Sequence, residues 1–285
     1  MPLARWRNHL MTRSTKLRKI AAQRPFLKLG NPSRRATAFI ELLVIIAIIG
    51  MLIAILIPMF LSARQRSTRF KCQNNLREIG NAMFSYANNN HGRFPSTRPS
   101  ADPIRKPDLS NSGYAATQPF ASDGPGPNNV PAAMFLLIRS EELPAFRFIC
   151  PSSTLAQPDQ FGGKSPAERS NFTDVILNLT YGMHNPYAND TTLAAGFGWG
   201  PQWLKANFPL MADMGPAPAS KLSLHSPNSP NHEGEGQNVL YADGSVEFKT
   251  TPLAGVDQDN IYRTRNNSVL DSPQDPSDSI LLPIR

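Results

Sequence analysis

Few side chains in this sequence have the types and spacing that chemistry needs. They are Glu41 and Cys72 in the first half and Cys150, His184, Asp213, His232 and Asp243 in the second. The densest stretch is Asn231-His232-Glu-Gly-Glu-Gly-Gln-Asn-Val-Leu-Tyr-Ala-Asp243-Gly244. No serine or cysteine nucleophile pairs recognisably with His232 or Asp243, and no HExxH-type zinc spacing occurs. The residues therefore offer no catalytic site, and an enzyme is not expected. Two cysteines are too few for a zinc cluster unaided, and too few to scaffold a mini-domain. Asp213 and Asp243, with loop carbonyls, could hold calcium, because hard cations take oxygen ligands. The blander reading makes Asp243 a turn residue, His232 a loop hydrogen-bonder, and His184 and Asp213 turn formers. On that reading no cofactor is expected, and Asp213, His232 and Asp243 stand as the only metal candidates.

The elements that must position these residues begin with an apolar run. From Leu42 to Leu61 there are twenty residues without a charge. At about 1.5 Å per residue they span roughly 30 Å, the hydrocarbon thickness of a bilayer. Glu41 stands at the entrance to this run. The chain of 285 residues carries a formal net charge of +8, but residues 1–36 hold ten Lys and Arg and no acid. The remainder is near neutral, and no nucleic-acid partner is expected. The leader's composition also suits a mitochondrial transit peptide, although such peptides do not normally abut a twenty-residue apolar span. Basic residues before a span keep that side in the cytoplasm. The N-terminus is thus expected inside, and everything after the span outside.

Beyond Ser62 the pattern turns amphipathic. Cys72, Leu76, Ile79, Met83 and Tyr86 recur at intervals of four, three, four and three, one stripe of a helix. Gly92 is placed to cap it, with Pro95 beyond. Together, span and stem predict one helix of about fifty residues, roughly 75 Å, bent at Pro58 where a backbone hydrogen bond is lost. Of 27 prolines, 23 fall after residue 94, so the rest should be short strands, turns and loops. Residues 96–131 read as an irregular loop and residues 132–139 as a short helix. Strands are expected at 146–150 and in the C-terminal apolar stretch, and strand-and-turn segments at 180–186 and 209–214. Asp243-Gly244 between alternating runs predicts a type I′ hairpin, with Tyr241 opposite Val246 and Val239 opposite Phe248. Cys72 and Cys150 lie on the exported side. They either form a disulfide pinning the 146–150 strand to the stem or remain two buried thiols.

The stretch Arg34-Arg35-Ala36-Thr37-Ala38-Phe39-Ile40-Glu41 resembles the cleavage and methylation signal of type IV prepilins and type II secretion pseudopilins. The resemblance implies cleavage by a prepilin peptidase between Ala36 and Thr37, with methylation of the new N-terminus. Glu41 is then the fifth mature residue, an assembly contact, and Pro58 falls where pilin helices carry a proline. Ala36 stands where the family has glycine, and Thr37 where it has phenylalanine. Lys71-Cys72-Gln-Asn-Asn-Leu-Arg-Glu-Ile-Gly80 and Asn90-His-Gly-Arg-Phe-Pro95 look like a group of pseudopilin-like proteins abundant in planctomycetes. In these, nine residues separate a C-terminal histidine from Asp-Gly; here ten residues separate His232 from Asp243.

The resemblance implies an α+β, pilin-like fold: a leader (1–36), a transmembrane helix (37–61), an amphipathic stem (62–94) and an extracytoplasmic head (95–285). It implies a subunit of a type II secretion or type IV pilus-like filament in the bacterial inner membrane. Its partners would be the peptidase, other pseudopilin subunits and an assembly platform. A single-pass anchored module that binds an extracellular polymer or glycan is the competing expectation.

Overall fold

The computed structural model describes residues 32–216 and 228–283, with side chains for all of these except residues 32–36 and 61. Most of the basic leader (1–31) thus lies outside the described residues. The chain divides into two compact units, Met1–Ile57 and Pro58–Arg285. Helix α1 (Pro32–Asn89) carries Pro58 inside it, and the division falls immediately before that proline.

In the first unit, every large apolar side chain from Phe39 to Ile57 is 48–70 % exposed. That is what a helix shows when nothing covers it. α1 is long and apolar enough to cross a membrane.

The second unit begins where the apolar pattern narrows to one face. Cys72, Leu76, Ile79 and Met83 are fully buried, as the stripe spacing predicts. α1 ends at Asn89, three residues before the Gly92 expected to cap it. The Gly92 N–H closes the end on the Ala87 carbonyl at 2.8 Å, with φ of 73°. Helix α2 (Val130–Ser140) is apolar on every side and is buried from Val130 to Ile138. Asn129 caps it, its side-chain oxygen accepting from the Ala132 N–H at 2.8 Å. Single helical turns follow at α3 (Val175–Asn178) and α4 (Asp190–Ala194).

Five strands form one antiparallel sheet: β1 (Tyr181–His184), β2 (Pro209–Asp213), β3 (Gln237–Tyr241), β4 (Val246–Lys249) and β5 (Leu281–Leu282), in the order β4-β3-β2-β1-β5. One face, with Met183, Met211, Leu240 and Val246, joins the core built on the α1 stripe. A Cβ on Gly80 of α1 would sit 3.0 Å from Leu240, so stem and sheet are in close contact there. On the opposite face Ala212, Val239, Tyr241 and Leu281 pack with Ala254, Ile261 and Tyr262. The fold is α+β: a long helix and a small antiparallel sheet.

Two expectations are corrected. The β3–β4 hairpin is not type I′. Leu240 opposes Val246 and Asn238 opposes Phe248, one residue away from the predicted register on β3. The Gly244 N–H reaches the Tyr241 carbonyl at 2.9 Å, and the Tyr241 N–H reaches Ser245 O at 2.9 Å. That makes a three-residue loop, Ala242-Asp243-Gly244, with Gly244 left-handed at φ 84°. A slip of one residue moves a strand's side chains to the other face. Val239 and Tyr241 therefore pack away from the stem, and Leu240 takes the stem-facing position. The 146–150 segment is also not a strand: Ala145–Phe148 is a 3-10 turn, and the first strand is β1. Pro144 before it and Pro151 after it leave too little chain for a ladder.

Candidate functional site

Four segments distant in sequence converge at one buried point. α1 supplies Cys72, the chain after the 145–148 turn supplies Cys150, the end of β2 supplies Asp213, and the turn before β3 supplies His232. Each of the four offers a ligand-type atom, and these atoms lie within 4.8 Å of one another. All four residues are buried. Cys72 and Cys150 are joined as a disulfide, S–S 2.32 Å and Cα–Cα 5.3 Å. It ties the turn segment to α1; no strand is involved.

His232 Nε2 lies 3.2 Å from Asp213 Oδ2, 3.6 Å from Cys150 Sγ and 3.1 Å from Asn238 Nδ2. The backbone holds this histidine in place: its φ is 54°, and its N–H donates to Ser152 Oγ at 3.2 Å. The Ser152 hydroxyl lies 2.9 Å from Cys150 Sγ. A disulfide sulfur carries no hydrogen, so the serine donates.

A fully buried carboxylate needs compensation, and Asp213 has three N–H donors. The Asn238 backbone N–H and side-chain Nδ2 reach Oδ2 at 2.7 and 2.9 Å, and Asn231 Nδ2 reaches Oδ1 at 3.2 Å. The Asp213 carbonyl accepts from the Tyr262 hydroxyl at 2.6 Å. Burial first, and the Asp213 charge second, push the hydroxyls of Tyr262 and Tyr181 well above their ordinary value. Asn238 Oδ1 is buried and has no hydrogen-bond partner among the described residues.

A cleft of about 410 Å³ reaches His232 and Ser152 between Arg64, Thr68 and Arg69 of α1 and Glu233. Its rim is stapled by the Arg69–Glu235 ion pair, by Arg69 stacked 4.3 Å over the Phe248 ring, and by Gln65 donating to Glu233 at 3.0 Å.

The structure thus unites two of the three metal candidates and separates the third. Asp243 sits in the exposed hairpin loop, where it accepts from the Ser245 N–H at 2.8 Å; hydrogen bonds to Ser245 hold its pKa below the usual value. It lies beyond the end of β3 opposite to Asp213, so the pair cannot share a calcium ion, and Asp243 is the turn residue expected. Asp213 and His184 are not turn formers, since both lie in strands; His232 is the hydrogen-bonding turn residue expected, and it faces Asp213. His184 is buried among Phe197, Trp199 and Phe208 and accepts from the Ile280 N–H at 3.3 Å. Burial pulls its pKa down to about 3, so it is neutral.

Sequence reasoning missed that the cysteines and the His–Asp pair form one site. It also missed Asn231 and Asn238, although both lie in the stretch singled out around His232. Glu41 is exposed in the uncovered part of α1, Thr37 lies in its first turns, and of Ala36 only the helical backbone is described. Comparison with protein-family models, curated proteins and solved structures returns no match.

Proposed function

We propose that the chain is a pseudopilin-like structural subunit of a type II secretion or type IV pilus-like filament. It is held in the bacterial inner membrane by α1 with its head outside. The observation carrying this reading is the contrast within α1. Its first part is apolar on all sides, uncovered, and carries a single carboxylate, Glu41. A carboxylate at membrane depth costs several kcal/mol unless it finds a partner. In a filament that partner is the terminal amine that cleavage between Ala36 and Thr37 creates on a neighbouring subunit. Peptidase, sister subunits and assembly platform are the partners of this reading. The Cys72–Cys150 disulfide suits an oxidising compartment and hence a head outside the cytoplasm. The test is Glu41→Ala in cells. The variant should insert normally and form no filaments or cross-linked oligomers. Oligomers at wild-type level, or a wild-type chain still starting at Met1 where the peptidase is active, would sink the proposal.

A second reading, an anchored module binding a polymer or glycan, rests on a separate cleft of about 630 Å³. Trp199, Trp203 and Phe120 line it together with Arg93, Arg98 and Arg105. Trp203 is 48 % exposed, and aromatic faces of this kind stack on sugar rings. Calorimetric titration with acidic and neutral polysaccharides separates the readings. Binding lost in Trp203→Ala favours the module, and no heat with any polymer removes it.

A further inference from the structure

The buried cluster has more donor chemistry than a structural disulfide uses. A disulfide buried in a core needs neither an imidazole nor a carboxylate beside it; hydrocarbon would serve. Here two sulfurs, an imidazole nitrogen and a carboxylate oxygen point into one spot, all within 4.8 Å. Two thiolates, one imidazole and one carboxylate are a donor set for a borderline-soft divalent ion, and four such ligands suit a tetrahedral ion. We propose that, with Cys72 and Cys150 reduced, Cys72, Cys150, Asp213 and His232 hold one zinc-class divalent ion, and that closing the disulfide expels it.

The geometry asks for little movement. A tetrahedral zinc-class ion holds its ligands about 2.0–2.3 Å away, which sets two thiolates roughly 3.8 Å apart. With Cα atoms 5.3 Å apart, rotation about the cysteine side-chain bonds supplies that separation once the S–S bond is gone. His232 Nε2 already stands 3.2 Å from Asp213 Oδ2 and 3.6 Å from Cys150 Sγ, the spacings of neighbours around such an ion. An outer shell is in place as well. Asn231 and Asn238 orient the carboxylate, and Ser152 donates toward the Cys150 sulfur. The buried Asn238 Oδ1, without a donor among the described residues, marks this pocket as less than fully satisfied by the disulfide form. The cleft beside His232 is the route in and out.

The redox step balances with thiol chemistry alone. A dithiol reductant gives two electrons and two protons to the S–S bond and becomes a disulfide. The ion then binds as the two thiols lose their protons. In the other direction, a disulfide oxidant takes two electrons from the two thiolates and two protons from solvent and becomes a dithiol. The S–S bond re-forms, and the divalent ion leaves with its charge unchanged.

The experiment uses the full chain in detergent, reduced with a phosphine under chelator, desalted without oxygen and titrated with Co²⁺ and then Zn²⁺. The expected result is one Co²⁺ per chain with a thiolate-to-cobalt charge-transfer band, displaced by Zn²⁺, and no such band in the disulfide form. His232→Ala and Asp213→Asn should weaken Co²⁺ binding by more than the roughly 10–100-fold typical of losing an outer partner, and Asn238→Ala by about that amount. Circular dichroism of each oxidised variant verifies its fold. If reduction unfolds the head, Zn²⁺ should restore the folded spectrum in the wild type and not in Cys72→Ser/Cys150→Ser. A reduced chain without the band that Zn²⁺ also fails to refold overturns the proposal. So does a band of full strength in folded His232→Ala and Asp213→Asn, or equal binding by the oxidised chain.

Discussion

The two parts of α1 are built from the same backbone and meet opposite demands. From Leu42 to Phe60 the helix is apolar all round, and its large side chains are exposed among the described residues. From Ser62 to Asn89 only one stripe is apolar, and the head buries that stripe completely at Cys72, Leu76, Ile79 and Met83. The lesson concerns where stability comes from. The stem is held by tertiary contacts: the disulfide, the Arg147–Glu78 ion pair at 2.6 Å, and Asn75 donating to the Ile149 carbonyl at 3.0 Å. The uncovered part, from Phe39 to Phe60, shows no such contacts among the described residues and depends on its surroundings.

Paired substitutions can break that contrast. The largest effect is expected for Leu76→Ala, which opens a cavity under the sheet and should cost about 2–5 kcal/mol. Ile46→Ala in the uncovered part should leave head unfolding unchanged. Denaturant unfolding followed by tryptophan fluorescence measures both, and equal costs would erase the distinction.

Next comes pH. His184 is held neutral by burial, its pKa lowered to about 3. The unfolded chain takes up a proton near pH 6.5 that the folded chain refuses until about pH 3. Stability is therefore lost as pH falls through this window, about 2 kcal/mol from this group by pH 5. Asp278 works the other way. Burial raises its pKa to about 6, with Asp259 adding to the effect, so the folded form gains stability as pH falls through 6. The difference between wild type and His184→Phe isolates the histidine. The variant should lose about 2 kcal/mol less between pH 8 and 5, and identical slopes would refute the assignment. Nothing comparable is expected in the uncovered part of α1, which has no buried titratable group among the described residues.

The smallest effect compares glycines. Gly244 holds the hairpin loop at φ 84°, so Gly244→Ala should cost roughly 1 kcal/mol. Gly50 has open space where a Cβ would go, and Gly50→Ala should not change head stability. A neutral Gly244→Ala would mean that the loop relaxes.

The helical part of this molecule was legible because its signal is local. The 4-3-4-3 spacing named the buried stripe residue by residue, and Gly92 marked the end. The strands at 181–184 and 209–213 were legible from composition and flanking turns. The hairpin register was not. Asp-Gly serves both a two-residue loop and a three-residue loop with left-handed glycine, and the choice rests on whether Leu240 or Val239 fills the space beside Gly80 of the stem.

By itself, then, the sequence determined that one stretch of α1 is uncovered and suited to a membrane, that the next is amphipathic, and that a proline-rich α+β head follows. Hydrophobic period and proline placement act within a few residues, so they survive without a fold. The tertiary structure alone decided that Cys72, Cys150, Asp213 and His232 form one buried cluster and that Asp243 stays outside it. Those four come from segments up to 160 residues apart (Cys72 to His232), brought together by long-range packing rather than by any local spacing.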